Sequence, residues 1–187
     1  MRLSWEDLHS RIESCENCGL CRNIHRKVPG QGDIHAKLMF IGEGPGADED
    51  LQGLAFVGKA GQLLTKMIAA MGLTREQVYI CNVVKCRPPN NRAPEPDEMA
   101  CCMPYLREQF LLVHPRVIVL LGATAARAVL GDQIRITRDR GKWVEKKGFY
   151  FMPTYHPAAL LRDESKKRDV WQDLKMVMAK LKETEEG

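Results

Sequence analysis

What this chain lacks narrows what it is. No run of about 18 apolar residues occurs, so no membrane-spanning helix is expected. The opening MRLSWEDLHSR has no apolar signal core, which reads as a cytoplasmic protein. There is no internal repeat and no low-complexity tract. The seven cysteines come without a secretory signal and so do not read as a disulfide framework. In a reducing cytosol they point to a metal or to chemistry. Neither G-x-G-x-x-G opening directly into a helix nor a P-loop is present, although Gly58-Lys59 occurs. The glycines are therefore not read as a cradle for nucleotide phosphate.

What is present fits one α/β domain spanning residues 1–187, long enough for a real core. Apolar residues make up 44% and charged residues 28%, and the formal net charge is +4. That mild surplus permits a polyanionic partner without demanding one. Ser4 is expected to cap a helix whose apolar stripe is Trp5, Leu8 and Ile12. Leu38–Ile41, Val78–Val84 and Arg116–Leu121 read as strands, nearly unbroken in apolar character as buried parallel strands are. Helices are expected over 62–71, 97–113 (with Pro104 kinking it or delaying its start), 123–130 and 163–182. Ile134–Phe151 reads as a hairpin turning at Lys146-Lys147-Gly148, with Phe149–Thr154 running on as a further strand. This alternation predicts a mostly parallel sheet of about four strands between helices.

The stretch 38–64, LMFIGEGPGADEDLQGLAFVGKAGQLL, organises the chain. It reads as a strand, the glycine-rich turn Gly42-Glu43-Gly44-Pro45-Gly46, an acidic loop (Asp48, Glu49, Asp50), Phe56, and a helix. Ligands of α/β proteins bind outside the carboxyl ends of strands. His156 follows a strand and Asn82 sits late in one, so a carboxylate, an aromatic, an amide and an imidazole are placed along one edge. The other histidines read as surface or boundary residues. Cys15 and Cys18 form a C-x-x-C, while Cys86 and Cys102 make a second, wider pair. Four thiolates hold either a [4Fe–4S] cluster or Zn²⁺, and the wide second pair suits the bulkier group better, without settling it. Cys81, mid-strand, reads as a core thiol. Cys21 and Cys101 stand open as alternatives to their neighbours.

In order along nearly the whole chain, Cys15-x-x-Cys18-x-Leu20, Gly42-Glu43-Gly44-Pro45-Gly46, Ala55-Phe56-Val57-Gly58-Lys59-Ala60-Gly61-Gln62-Leu63-Leu64, Asn82-Val83-Val84-Lys85-Cys86-Arg87-Pro88-Pro89, Asn91-Arg92-Ala93-Pro94, Cys102, Gly141-Lys142-Trp143 and His156-Pro157-Ala158-Ala159-Leu160-Leu161-Arg162 resemble the family 4 uracil-DNA glycosylases. These are small bacterial and archaeal repair enzymes with an iron–sulfur cluster. The resemblance implies a three-layer α/β/α fold and a structural [4Fe–4S] cluster on Cys15, Cys18, Cys86 and Cys102. It also implies hydrolysis of the N-glycosidic bond of deoxyuridine in single- and double-stranded DNA. The alternatives are a glycosylase for another deaminated base and a non-catalytic iron–sulfur DNA-binding module. It further implies roles: Phe56 stacks on a flipped uracil, Asn82 reads its Watson–Crick edge, and His156 faces O2. The backbone of Gly42, Glu43 and Gly44 completes the pocket, and Leu160, Leu161 and Arg162 enter the minor groove. The protein would act as a monomer on uracil-containing DNA. Gly44 stands where related glycosylases place an aspartate for water, which leaves Glu43 as the best carboxylate, with Asp48 and Glu49 behind it. One relative traps itself on DNA through a histidine in a basic loop. The comparable segment here, Thr137-Arg138-Asp139-Arg140-Gly141, has none, so turnover is expected.

Overall fold

Apolar runs at 38–42, 79–82, 117–121 and 149–154 lie side by side in parallel in the computed structural model, which describes residues 2–187. In chain order the elements are α1 (Trp5–Glu13), β1 (Gln31–Gly32), β2 (Leu38–Gly42), α2 (Ala47–Gln52), α3 (Lys59–Ala70), β3 (Tyr79–Asn82), α4 (Pro96–Val113), β4 (Val117–Leu121), α5 (Ala123–Leu130), α6 (Ile136–Asp139), β5 (Val144–Lys146), β6 (Phe149–Thr154), α7 (Pro157–Arg162) and α8 (Lys166–Glu186). The sheet order is β1-β3-β2-β4-β6-β5. Six strands therefore replace the expected four. The added strands, β1 and β5, are antiparallel edges of two and three residues, too short to show a period in sequence.

Strand alternation sends side chains to two apolar layers. Leu38, Phe40, Ile80, Val117, Val119, Leu121 and Met152 face one layer, which α3, α7 and α8 cover with Leu64, Ile68, Leu160, Val170, Leu174 and Val177. Met39, Ile41, Cys81, Ile118, Leu120 and Phe151 face the other, covered by α4 and α5 with Leu106, Ala125 and Leu130. The result is the expected α/β/α arrangement. Among the described residues no helix is long and apolar enough to cross a membrane.

Ser4 caps α1 as expected, its hydroxyl accepting from the Asp7 N–H at 3.1 Å. Pro104 sits inside α4 on its exposed side; there the missing N–H leaves its carbonyl partner to water, so the helix continues. Two expectations fail. The acidic stretch after Gly46 is a short helix, α2, because two of its three carboxylates are engaged internally and not solvated. The hairpin is also shorter than expected. Its first half is the one-turn helix α6, and only β5 and β6 pair, across Lys147-Gly148.

Candidate active site

The four parallel strands end on one edge, and an open cleft of about 760 Å³ lies outside them. Gly42 pairs in register with Asn82, and Leu121 pairs with Thr154 just ahead of Tyr155 and His156. Glu43, Gly44, Phe56, Asn82 and His156 all line this cleft. The sequence's strand-end residues thus converge as expected. Gly42 is required under them: a Cβ there would lie 2.4 Å from Phe56 Cζ and 2.5 Å from Asn82 Oδ1.

Asn82 is 1% exposed. Its Oδ1 is buried with no hydrogen-bond partner, alone in this among the described residues. Native folds rarely leave such an acceptor unmet without a reason. His156 caps α7, and its Nδ1 accepts from the Ala158 N–H at 3.0 Å. An imidazole accepting at Nδ1 is neutral and carries its proton on Nε2. Burial first, and the charge of Arg162 second, pull its pKa down to about 4, against an opposing pull from Glu49. The ring lies 5.6 Å from that of Phe56, tilted by 31°.

The carboxylates separate by environment. Glu49 is buried and accepts from the N–H groups of Gly46 (3.0 Å), Val57 (2.8 Å) and Gly58 (2.6 Å). It braces the loop through both of its oxygens. Asp50 is 3% exposed and accepts from the His25 N–H at 2.9 Å. Asp48 is exposed. Glu43 lines the cleft half-buried, and the neighbouring loop does not engage it. Asn91 accepts from Arg87 Nε at 2.8 Å, and Arg92 pairs with Glu98 at 2.8 Å.

After His156, α7 places the exposed Arg162 at the cleft, next in the chain to Leu161, which is 50% exposed. Leu160 does not join them. It is 1% exposed and packs in the core beneath α7, because neighbouring helical positions face about 100° apart. The expectation that Leu160 enters DNA is corrected accordingly.

A second, smaller cavity lies on the other side of β3. Cys15, Cys18, Cys86 and Cys102 line it, with Cys21 and Cys101, Ile12, Leu20 and the stems of Lys27 and Lys85. Cys81 is absent from it and buried in the sheet, as expected. Burial pushes the thiols of Cys18 and Cys102 up and that of Cys86 up to about 12; at Cys86 the charges of Cys102, Cys18 and Cys15 add to the rise. The four sulfurs therefore share one apolar space. Among the described residues no group of three or more Cys, His, Asp or Glu is placed to hold a metal ion as it stands. Cys21 Sγ donates to the Cys18 carbonyl at 3.2 Å and Cys101 Sγ to the Asn17 carbonyl at 3.4 Å, each thiol already turned to the backbone.

Sequence reasoning missed residues that act on the backbone. Arg75 and Gln31 lie in no motif, Lys85 lies in the Asn82–Pro89 run without a role read for it, and their partners are mostly main-chain groups that no spacing reveals. Lys85 is 1% exposed and donates to the Asn82 carbonyl and to Gln109 Oε1, each at 2.6 Å.

The family model of the uracil DNA glycosylase superfamily matches residues 29–175. A type-4 uracil-DNA glycosylase of Thermotoga maritima is 43% identical over 181 residues, 95% of this chain and 94% of that protein. Type-4 uracil-DNA glycosylases of Sulfurisphaera tokodaii and Archaeoglobus fulgidus are 44% and 43% identical, over 93% of this chain in each case and 83% and 92% of theirs. With a strand-end cleft and a cysteine-lined cavity in place, the chain belongs to the uracil DNA glycosylase superfamily, among its type-4 members.

Proposed function

We propose that this protein is a monofunctional uracil-DNA glycosylase of base-excision repair. It hydrolyses the N-glycosidic bond of deoxyuridine in single- and double-stranded DNA, releasing uracil and leaving an abasic site. The observation that carries this reading is the orphaned Oδ1 of Asn82, sealed beside Phe56 at the floor of the cleft. A flipped uracil supplies the missing donor, N3–H, while O4 takes a hydrogen from the amide nitrogen. Phe56 stacks on the base. The neutral Nε2–H of His156 meets O2, where negative charge grows as the bond breaks; one such preorganised donor is worth about 3 kcal/mol. The turn Gly42-Glu43-Gly44 walls the pocket. Glu43, unengaged and facing the cleft, is the carboxylate that steadies the sugar cation or orients water. Leu161 and Arg162 fill the space the base leaves in the duplex.

Cys15, Cys18, Cys86 and Cys102 fit a [4Fe–4S] cluster, whose contribution when bound would be to tie the turn after α1 to the proline-rich loop 85–95 (the proline loop) and α4. Residues 1–187 act as one domain, as a monomer in the cytoplasm, where seven free thiols suit the reducing milieu.

A panel of single-stranded, U·G, U·A, hypoxanthine and xanthine substrates tests the reading. Uracil release is expected from the first three, with Asn82→Ala lowering it about 100-fold. Preference for a purine lesion, or an Asn82→Ala variant as active as the parent, would overturn it.

A further inference from the structure

We propose that Arg75, which lies outside the cleft, is a positioning residue for the Phe56 ring; the inference rests on the reading of Phe56 as the stacking platform. Phe56 is held at φ 54°, a left-handed conformation uncommon for a bulky side chain. Such a conformation persists only where the surroundings over-determine it. Here they do so from three sides. Arg75, on the 3-10 turn Arg75–Gln77 between α3 and β3, donates through Nη1 to the Phe56 carbonyl at 2.8 Å and through Nη2 to the Ala55 carbonyl at 2.6 Å. Gln31 on β1 brackets Ala55, accepting from its N–H at 3.0 Å and donating to its carbonyl at 3.3 Å. Glu49 on α2 holds the N–H groups of Val57 and Gly58 just beyond. Helix α3 leaves no slack behind them, since a Cβ on Gly61 would sit 1.9 Å from the Phe56 carbonyl carbon.

The guanidinium matters most of the three because of its shape. A helical backbone of either hand turns consecutive carbonyls to the same side, whereas an extended one turns them apart. A planar, two-pronged donor bonded to both carbonyls therefore keeps Phe56 out of the extended state and in its helical-type turn, and with it sets the direction of the ring. Arg75, Gln31 and Ala55 do not line the cleft, so Arg75 acts through Phe56 and touches no substrate.

The test uses the cluster-loaded full chain with Arg75→Met, Arg75→Lys, Phe56→Ala and the double variant R75M/F56A. The readouts are inhibition by free uracil, kcat/KM on uracil-containing single strands, and affinity for DNA carrying an abasic-site analogue. Arg75→Met should weaken uracil inhibition and lower kcat/KM about 10- to 100-fold, with abasic-site binding changed by less than about twofold. In the Phe56→Ala background the same change should add less than about twofold, because the residue it positions is gone. Arg75→Lys keeps the charge but spans one carbonyl, and should fall between parent and Arg75→Met; if Arg75→Met does not fold, Arg75→Lys carries the comparison. Uracil inhibition unchanged in the Arg75 variants, or losses that add fully to those of Phe56→Ala, would overturn the proposal. A Phe56→Ala protein that binds uracil like the parent would instead overturn the stacking role itself.

Discussion

Asn82 and His156 show how one sheet edge sets two side chains for different tasks. Asn82 keeps an acceptor unmet, which costs stability, and His156 stays neutral at pH 7, with its one ring proton on Nε2. The first predicts a split: Asn82→Ala should lose uracil release while its melting temperature stays level or rises, since removing an orphaned polar group removes its desolvation cost. The second predicts a pH dependence. His156 has a folded pKa of about 4, below its ordinary 6.5, so the unfolded chain binds more protons between those values. The stability that goes with neutral His156 is full above pH 6.5 and is lost as pH falls toward 4. Melting temperatures measured across that window should fall less steeply for His156→Asn than for the parent; identical slopes would contradict the assignment. Both residues were legible in the sequence, because Asn82 lies at the end of a strand and His156 just beyond one, and strand ends are readable from apolar runs. Arg75 was not legible, because its main bonds are to carbonyls and any residue supplies a carbonyl.

At the scale of elements, legibility followed length. The helices α3, α4 and α8 and the strands β2, β3 and β4 bury enough periodic apolar surface to announce themselves. The segments β1, β5, α2 and α6 are two to six residues long, and tertiary contacts alone hold them. The helix α2 makes the point. Ala-Asp-Glu-Asp-Leu-Gln has no apolar stripe and looks like a solvated loop, yet Glu49 turns inward to three N–H groups. Its role is structural. Glu49→Ala should therefore destabilise the protein by about 3 kcal/mol, as charged hydrogen bonds are lost and donors left unmet, whereas Asp48→Ala on the exposed side should stay within about 0.5 kcal/mol. Chemical denaturation of the two variants checks this. The helix α7 gives a second lesson: Leu160-Leu161 reads as one apolar pair, but a helix sends its members to core and solvent separately.

Across the whole molecule, six cysteines from three separate stretches (15–21, 86 and 101–102) line one cavity on the opposite side of β3 from the core that carries Phe56. Spacing could nominate a set but could not choose between Cys18 and Cys21 or between Cys101 and Cys102; the thiols of Cys21 and Cys101 donate to backbone carbonyls, which supports the proposed set of Cys15, Cys18, Cys86 and Cys102. Serine at Cys15, Cys18, Cys86 or Cys102 should abolish the broad absorption near about 400 nm of an iron–sulfur cluster, while serine at Cys21 or Cys101 should leave it. Loss of the cluster should raise hydrogen exchange first in the α1 segment and the proline loop, with the central strands protected. The fold class and the cleft were readable because the parallel core is written in local apolar runs. The joining of the two cavities through Lys85, which lines one and holds the Asn82 carbonyl of the other, was not.

The most direct measurement is release of free uracil from a uracil-containing single strand by purified, cluster-loaded protein. Multiple turnovers leaving alkali-labile abasic sites, with Asn82→Ala about 100-fold slower, are predicted. Intact substrate after prolonged incubation, or a parent and an Asn82→Ala protein of equal rate, would contradict the central claim.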